Sequence, residues 1–170
     1  PKKGAESMAY NAFIKFEEAD INLKGESTHE GKTDWCDIYS FSWGASNPAT
    51  VGGKDGLAAG KVSVSSFNIM KKSDRVSPGL FLACCAGEHV GKITVELHKA
   101  AGTKGKTIPF ITYKFSKCMI ESVQWSGSAG GGDDTPSESV SIAFSKVEIE
   151  YQPQDEKGAK KGGAETSAWD

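Results

Sequence analysis

The stretch Lys92-Ile-Thr-Val-Glu-Leu-His-Lys99 alternates apolar and polar residues along its whole length. Its apolar members, Ile93, Val95 and Leu97, share one parity, which is the period of a β-strand that buries one face. The same period recurs in segments on both sides of this one. Its recurrence there is what predicts the class of fold.

Segments with the same period flank it in both directions. Ser139–Tyr151 places its first apolar residues at even positions and its later ones at odd positions, and Lys61–Met70 shows a similar change of parity. A change of parity inside a strand indicates a β-bulge. We therefore expect bulges near Ser145–Lys146 and near Ser65–Ser66.

Further strands complete a mainly β fold. They are predicted over Tyr10–Phe16 and in one or two segments within Thr107–Trp125. In Trp35–Trp43, apolar residues fall on both faces, which is typical of a strand that is covered on both sides. Regularly spaced, bulged strands predict a closed or nearly closed antiparallel β-barrel with long Gly-rich loops.

One short α-helix is predicted at about 78–86. Ser77 is a suitable N-cap, Pro78 suits the first helical position, and Gly87 suits the position just past the end. The residues between them, Leu80–Ala86, are apolar on every side of the helix. Such a helix must be covered on more than one side, and either a subunit interface or the end of the barrel would provide that cover.

The composition limits the class of protein. The chain has 170 residues, a net charge of −2 and a single arginine, Arg75. Dedicated nucleic-acid binders usually carry a basic excess and contact bases and phosphates through arginine, so no nucleic-acid partner is expected. No run approaches the roughly 18 apolar residues of a membrane helix, and the N-terminal residues lack the apolar stretch of a secretory leader. We expect neither membrane insertion nor a cleaved signal peptide.

Three parts are expected along the chain: a flexible N-terminal segment at 1–8, a barrel domain at 9–153 and a disordered tail at 154–170. Eleven of the 20 glycines lie in the loops 46–60 and 126–138 and in this tail. The tail is rich in Lys, Glu, Gly and Ala, a composition typical of disorder.

No catalytic, cofactor or metal site is predicted. The four cysteines lack the spacing of a zinc site and are expected as reduced thiols. The stretch Gly56–Lys61 resembles a phosphate loop, but it is one residue short and precedes a strand instead of a helix. A hydrolase using Cys85 or the pair Asp133 and Asp134 is one alternative, although a cysteine nucleophile would need a positioned base. A monomeric ligand-binding β-barrel, with its aromatic residues around a pocket, is the other.

Nine short segments that together extend over about residues 9–154 occur in a characteristic order: Phe13–Phe16, Lys24–Thr28, Ser40–Gly44, Gly60–Val64, Ser77–Cys84, Gly87–His89, Gly130–Glu138, Val140–Lys146 and Tyr151–Pro153. In this order they resemble Hcp, the family of tube proteins of type VI secretion systems. Each segment alone is weak evidence, but the order and the coverage are specific.

The resemblance implies a β-barrel with one flanking helix, six copies of which form a ring. Rings stack into a tube that a contractile sheath propels and that carries a spike protein at its tip. It further implies a protein that folds in the cytoplasm of a Gram-negative bacterium and is released without a cleaved signal peptide. The implied partners are therefore further copies of the chain, the tip spike protein, the contractile sheath and small effector proteins inside the lumen.

Candidate contact residues follow from position in this family. Ser42 is the candidate for the lumen wall, and the loop 46–60 corresponds to an extension that reaches a neighbouring subunit. Asp133 and Asp134 are candidates for loop contacts. The candidates for subunit interfaces are Trp35, Tyr39, Phe41, Trp43, Val51, Leu57, Leu80, Phe81, Leu82, Cys84 and Cys85.

Overall fold

The computed structural model describes residues 10–52, 56–99, 107–132 and 134–170. The predicted flexible segment 1–8 and the candidate Asp133 lie outside these residues. The described helix is α1 (Ser77–Ala86). The strands are β1 (Tyr10–Glu17), β2 (Cys36–Ile38), β3 (Ser40–Ser42), β4 (Ala45–Ser46), β5 (Ala49–Val51), β6 (Leu57–Ala59), β7 (Ser63–Val64), β8 (Phe67–Lys72), β9 (His89–Lys99), β10 (Pro109–Ser126), β11 (Ser137–Tyr151) and β12 (Glu165–Trp169).

The main sheet curls into a nearly closed antiparallel barrel. Its strand order is β2-β1-β9-β10-β11-β8-β3, so β2 and β3 lie at opposite ends of the path. Yet Tyr39 alone separates these two strands in the chain, and its N–H donates to the carbonyl of Met70 at 3.0 Å. One extended segment therefore joins both edges of the sheet. The barrel predicted from the sequence is confirmed.

Aromatic side chains fill the interior of the barrel. Phe67 and Phe115 are fully buried, and their ring centroids lie 4.7 Å apart. Phe144 packs on Phe115 at 4.6 Å, and Trp43 meets the same ring edge-on at 5.5 Å. Burial of each large side chain contributes about 1.5–3 kcal/mol, so the interior is a packed core that holds the strands together.

The segment Cys36–Ser42 departs from the predicted regular alternation. Cys36 and Ile38 are buried, and Phe41 also packs against the core, whereas Tyr39 is 54% exposed. The inward positions thus change from even to odd numbers at Tyr39, where the segment leaves β1 and joins β8. Both sets of apolar residues enter one core, which corrects the expectation that this strand is covered on both of its faces.

A crease crosses β9, β10 and β11 and passes the end of β1, and we define it by Glu18, Gly91, Lys117 and Ser145. Glu18 and Lys117 adopt positive φ angles of 57° and 52°, and the N–H of Gly91 donates to the carbonyl of Glu18 at 3.0 Å. On either side of the crease the inward positions change parity, as the buried pairs Val90 and Ile93 and Phe115 and Cys118 show.

The crease replaces one predicted bulge. The register of β10 with β11 continues unshifted from Ser116 opposite Lys146 to Cys118 opposite Phe144. The parity change predicted near Ser145–Lys146 is therefore real, but its cause is a simultaneous turn of adjacent strands instead of an inserted residue. The register of this strand pair shifts instead at Glu121 of β10, between Ile120 and Ser122.

The second parity change, near Ser65–Ser66, marks a passage between two sheets. Val64 ends β7, which pairs with β4 in a separate two-stranded sheet. Phe67 begins β8, which pairs with β11 and β3 in the barrel. The two intervening serines are outside both strands, so they connect two pieces of sheet.

The helix α1 begins at Ser77 and ends at Ala86, close to the predicted bounds. Gly87 ends it in the left-handed conformation at φ 64°, as predicted. Ser77 is not the N-cap, because Val76 occupies that position and makes no side-chain cap. No helix in the described ranges has the length and apolar character needed to cross a bilayer.

A buried polar network fixes the start of this helix. The side chains of Lys71 and Glu138 are fully buried and form an ion pair at 2.6 Å. Lys71 also pairs with Asp74 at 2.7 Å, and the Ser77 hydroxyl donates to Glu138 at 2.9 Å. The network ties β8, β11 and α1 to one another, which explains why Ser77 does not cap the helix.

The end of the chain differs from the expected disordered tail. Residues Glu165–Trp169 form β12, which pairs antiparallel with the second half of β11, from Val147 to Tyr151. The first half of β11 pairs with β8 instead. All five residues of β12 are exposed, so main-chain hydrogen bonds hold the strand without a buried face. This segment has no alternation of apolar and polar residues from which the strand could be predicted.

Candidate assembly surfaces

The outer side of α1 carries exposed apolar side chains. Phe81 is 52% exposed and Leu82 is 53% exposed. The Phe81 ring lies against Trp125 of β10, with 5.8 Å between the ring centroids, and Cys85 is exposed one helical turn further on. We call Phe81, Leu82, Cys85 and Trp125 the helix patch. Leu80 is fully buried in the chain's own core, so its side chain offers no contact surface.

The hairpin formed by β5 and β6 carries a second exposed apolar surface. Val51 lies opposite Leu57, and these side chains are 87% and 73% exposed. The other paired positions of this hairpin hold only alanine and threonine. Exposed apolar groups clustered on a projecting element are typical of an interaction site.

The interface candidates of the segment 35–43 divide between the core and the surface. Phe41 and Trp43 belong to the aromatic core, where Trp43 lies 5.3 Å from the Tyr113 ring. Trp35 is half-buried beneath the Lys32 ammonium group, 4.0 Å from the ring centroid. Tyr39 is the candidate of this segment that presents most of its side chain to the outside.

Ser42 lies on a polar outer face of the barrel. The strand register places it opposite Asn68, Asn68 opposite Ser141, and Ser141 opposite Ser122. We call these four residues the serine row, which crosses β3, β8, β11 and β10. The adjacent row is formed by Ser40, Met70, Ser139 and Gln124. Both rows consist of uncharged side chains.

A carboxylate stands beside the serine row at the register shift of β10. The Oε2 atom of Glu121 accepts a hydrogen bond of 2.6 Å from the hydroxyl of Ser66 and one of 3.2 Å from the hydroxyl of Ser141. Glu121 is the extra residue of β10 at this point, so it has no partner of its own on β11. Its side chain is therefore free to lean across β11 towards Ser66.

The loop 126–138 is attached to the barrel beside the end of β8, where the N–H of Ser73 donates to the carbonyl of Pro136 at 2.9 Å. Lys72 donates to the carbonyl of Thr135 at 3.4 Å, and the Thr135 hydroxyl donates to Asp134 at 3.1 Å. Gly130 and Gly132 adopt φ angles of 83° and 86°, a conformation that favours glycine. Among the described residues, no group of His, Cys, Asp and Glu side chains is arranged to hold a metal ion.

The four cysteines are free thiols in different environments. Burial raises the pKa of Cys118 to about 12. Burial, followed by the nearby Asp74 carboxylate, raises the pKa of Cys36 far above its usual range. Because the thiolate is the reactive form, these two are inert. Cys84 is half-buried and donates to the carbonyl of Glu121 at 3.5 Å, whereas Cys85 is exposed.

A pocket of about 440 Å³ lies outside the barrel core, beside β1 and β9. His98 lies at its edge and is 5% exposed. Its Nε2 atom lies 2.9 Å from Glu96 and its Nδ1 atom 3.0 Å from the Thr107 hydroxyl. Lys32 donates to the same Glu96 oxygen. Burial alone would raise the pKa of Glu96, but hydrogen bonds from His98 and Lys32 outweigh it and hold the pKa below its ordinary value.

Comparison with known families identifies a match along most of the chain. The family model described as type VI secretion system effector, Hcp, matches residues 13–151. Protein hcp1 of Pseudomonas aeruginosa is 34% identical over 162 residues, which cover 95% of each chain. The match therefore includes the barrel, α1 and the two Gly-rich loops.

Solved structures share the fold over the same extent. One described as a type six secretion system protein superposes with a TM-score of 0.83 at 34% identity and covers 95% of both chains. The crystal structure of Hcp1 from Salmonella typhimurium superposes with a TM-score of 0.71 at 27% identity and covers 96% of this chain and 95% of that one.

Proposed function

Because the chain belongs to the Hcp family of type VI secretion proteins, we propose that it is the structural subunit of a secretion tube. Six copies form a ring and the rings stack into a tube that a contractile sheath propels, with a spike protein at the tip. The subunit folds in the cytoplasm of a Gram-negative bacterium and is then secreted. Small effector proteins travel in the lumen, and the subunit itself is not an enzyme.

The observation that carries this proposal is the presence of two separate exposed apolar surfaces on a chain whose core is already filled. The helix patch and the hairpin with Val51 and Leu57 lie on different elements. A contact between unlike surfaces of two copies is heterologous, and such contacts generate closed rings or open stacks. Two unlike apolar surfaces are therefore what ring formation and stacking require.

The helix patch suits the permanent contact within a ring. Phe81 and Trp125 are large aromatic groups, each about half exposed, and aromatic groups dominate the energetics of stable interfaces. Tyr39 could extend this contact from the strand side. The hairpin suits the weaker contact between rings, because ordering a projecting loop costs conformational entropy and limits affinity. A tube that disassembles after delivery needs this difference.

The polar outer face suits the lumen wall. Ser42 lies in the serine row, and the neighbouring row is uncharged as well. Short hydroxyl and amide side chains contact a passing protein without a large apolar area to retain it. This supports the placement of Ser42 at the lumen, where cargo must bind and later leave.

The barrel interior does not support the alternative function, a monomeric ligand-binding barrel. The aromatic rings that would line its pocket pack on one another, as the 4.7 Å separation of Phe67 and Phe115 illustrates. The pocket beside His98 lies on the outer side of β1 and β9, so it does not use the barrel interior. We therefore favour assembly as the function.

Leu82→Glu tests the proposal directly. Leu82 is exposed, so the variant should fold normally, whereas a buried carboxylate in the ring interface should prevent assembly. The wild type should elute as a hexamer and show rings in negative-stain images, and Leu82→Glu should elute as a folded monomer. Thr33→Glu, which places the same group on an exposed loop, should still form rings.

Two results would count against the proposal in different ways. A wild type that stays monomeric at micromolar concentration, with no rings in the images, would refute the tube. Intact rings of Leu82→Glu would leave the tube standing but would remove α1 from the ring interface.

A further inference from the structure

Glu121 is a charged side chain beside two rows of uncharged side chains. The serine row and its adjacent row contribute hydroxyl, amide and thioether groups only. Glu121 is exposed, and within the described residues no lysine or arginine lies at ion-pair distance from it. Among the described residues, this carboxylate therefore has no cationic partner.

The orientation of this carboxylate is fixed by its neighbours. Ser66 and Ser141 both donate to Oε2, at 2.6 and 3.2 Å. Because Ser141 lies on β11 and Ser66 lies beyond it, next to the start of β8, the two donors hold the carboxyl group over β11. The Oε1 atom receives neither bond, so it remains available to an outside donor. A ligand would therefore find an acceptor whose rotational freedom has already been reduced, which lowers the entropic cost of binding.

We propose that Glu121, oriented by Ser66 and Ser141, is a binding site for a lysine or arginine side chain on the surface of a cargo protein. The inference rests on the proposed function, since Ser141 belongs to the row that places Ser42 at the lumen. Six copies in a ring then present six equivalent carboxylates to one cargo molecule. Cargo with a basic surface patch is favoured over neutral or acidic cargo.

The chemistry of the site favours a cationic side chain over other ligands. An anion would meet an uncompensated carboxylate and be repelled. Calcium and magnesium bind through several oxygen ligands, often more than one carboxylate, and Glu121 is a single carboxylate whose serine neighbours already direct their hydrogens towards it. An ammonium or guanidinium group needs one such acceptor and forms a charge-assisted hydrogen bond with it.

The surroundings of the site make each contact weak and reversible. The serine row offers no large apolar side chain, so binding depends on charge, hydrogen bonds and repetition. Several weak contacts to one cargo molecule add up to useful retention when the sites are held in one ring. Because each contact is weak, the cargo can leave once the tube has separated into rings outside the cell.

The test measures the binding of two matched peptides to assembled rings of the full chain. A fluorescein-labelled lysine-rich peptide and an equally long glutamate-rich peptide are titrated at low salt, and fluorescence anisotropy reports Kd. We expect the lysine-rich peptide to bind wild-type rings. Its affinity should fall about tenfold or more in Glu121→Gln, since a hydrogen bond to a charged group is lost at each site.

Glu156→Gln provides the matched control, because it removes one exposed negative charge from the tail, away from this face. Its rings should bind the lysine-rich peptide as the wild type does. Equal weakening in both variants would overturn the inference and assign binding to net charge. Unchanged binding in Glu121→Gln, or equal binding of the glutamate-rich peptide, would also overturn it.

Sizing chromatography of every sample separates this inference from the proposed function. If wild-type rings form and Glu121→Gln rings bind the lysine-rich peptide undiminished, the inference alone fails. If the wild type forms no rings, the proposed function fails, and the assignment of Glu121 to a lumen site fails with it.

Discussion

At the scale of single residues, two fully buried charges determine where α1 begins. Lys71 and Glu138 lose all contact with water, a loss that is expensive unless each charge is paired and hydrogen-bonded. Here the ammonium group of Lys71 also reaches Asp74 and the carbonyl of Lys72, at 2.7 and 2.8 Å. Along β8, Lys71 has the same parity as Phe67 and Ile69 and faces inward with them. Its partner lies 67 positions away, and no local pattern identifies it.

Removal of one partner of this buried ion pair should lower the stability of the fold. Lys71→Met leaves Glu138 buried without its cation, which should lower the free energy of unfolding by about 3–5 kcal/mol. Urea denaturation followed by circular dichroism measures the change. Lys114→Met is the matched control, because its pair with Glu148 is about 40% exposed and should contribute at most about 1 kcal/mol. If the two variants lost the same free energy of unfolding, burial of the pair would not increase its contribution to stability.

At the scale of elements, the segment between β1 and β2 is held to the barrel by the Glu96 carboxylate. Lys32, 7% exposed, comes from this segment, whereas Glu96 and His98 both belong to β9. One carboxylate oxygen of Glu96 accepts from the Lys32 ammonium group and lies 2.9 Å from Nε2 of His98. Alternation along Lys92–Lys99 correctly predicted that Glu96 and His98 share a face. It did not predict that a distant loop would cover that face and bury His98.

Acid should loosen this attachment. The pKa of Glu96 is lower in the folded protein than its ordinary value of 4.5. Its ionised form therefore stabilises the fold above that value, and the contribution disappears as the pH falls through the folded pKa. The wild type should be more stable than Glu96→Gln at pH 7, and the difference should shrink below about pH 4.5. Urea unfolding at a series of pH values measures it.

A difference between wild type and Glu96→Gln that stays constant or grows on acidification would contradict this prediction. Glu148→Gln serves for comparison, since Glu148 forms a half-exposed pair with Lys114. It should show a small difference from the wild type at every pH, because solvent screens the pair.

Two elements could not be predicted correctly from the pattern of apolar residues. The segment 35–43 was predicted to be covered on both faces, because strict alternation assigns Ile38 and Phe41 to opposite sides. The single irregular residue Tyr39 brings both into one core, and alternation cannot locate such a residue. In β12, pairing with β11 uses main-chain groups alone, so the apolar period that reveals other strands is missing.

At the scale of the whole molecule, apolar and polar surfaces occur on different parts of the barrel. The helix patch and the hairpin provide the apolar groups, while the serine row and its neighbour provide neutral polar ones. The barrel, the helix and the family could be predicted from the sequence. The oriented carboxylate of Glu121 could not, because it depends on a register shift and on serines from two distant segments.

Assembly should change the reactivity of one thiol in particular. Cys85 is exposed and belongs to the helix patch, whereas Cys118 is buried with its pKa raised to about 12. In rings, Cys85 should react with a thiol reagent several-fold more slowly than in the monomeric Leu82→Glu variant. Cys118 should react in neither form until the protein is unfolded. Mass spectrometry of the labelled peptides assigns each site, and Cys85→Ser identifies its signal.

Equal rates for Cys85 in rings and in the monomeric variant would place this residue outside the ring interface. Reaction of Cys118 in the folded protein would contradict the packed core around it.

The crease through Glu18, Gly91, Lys117 and Ser145 has an evolutionary consequence. Deleting one residue from a strand exchanges its inward and outward side chains beyond that point. Because neighbouring strands turn together here with no shift in register, a deletion at Lys117 alone would move Cys118 and Ile120 outward while β9 and β11 kept their facing. Insertions and deletions among relatives should therefore occur in the Gly-rich loops and be absent from the crease. This should hold whichever residue types occupy the crease positions.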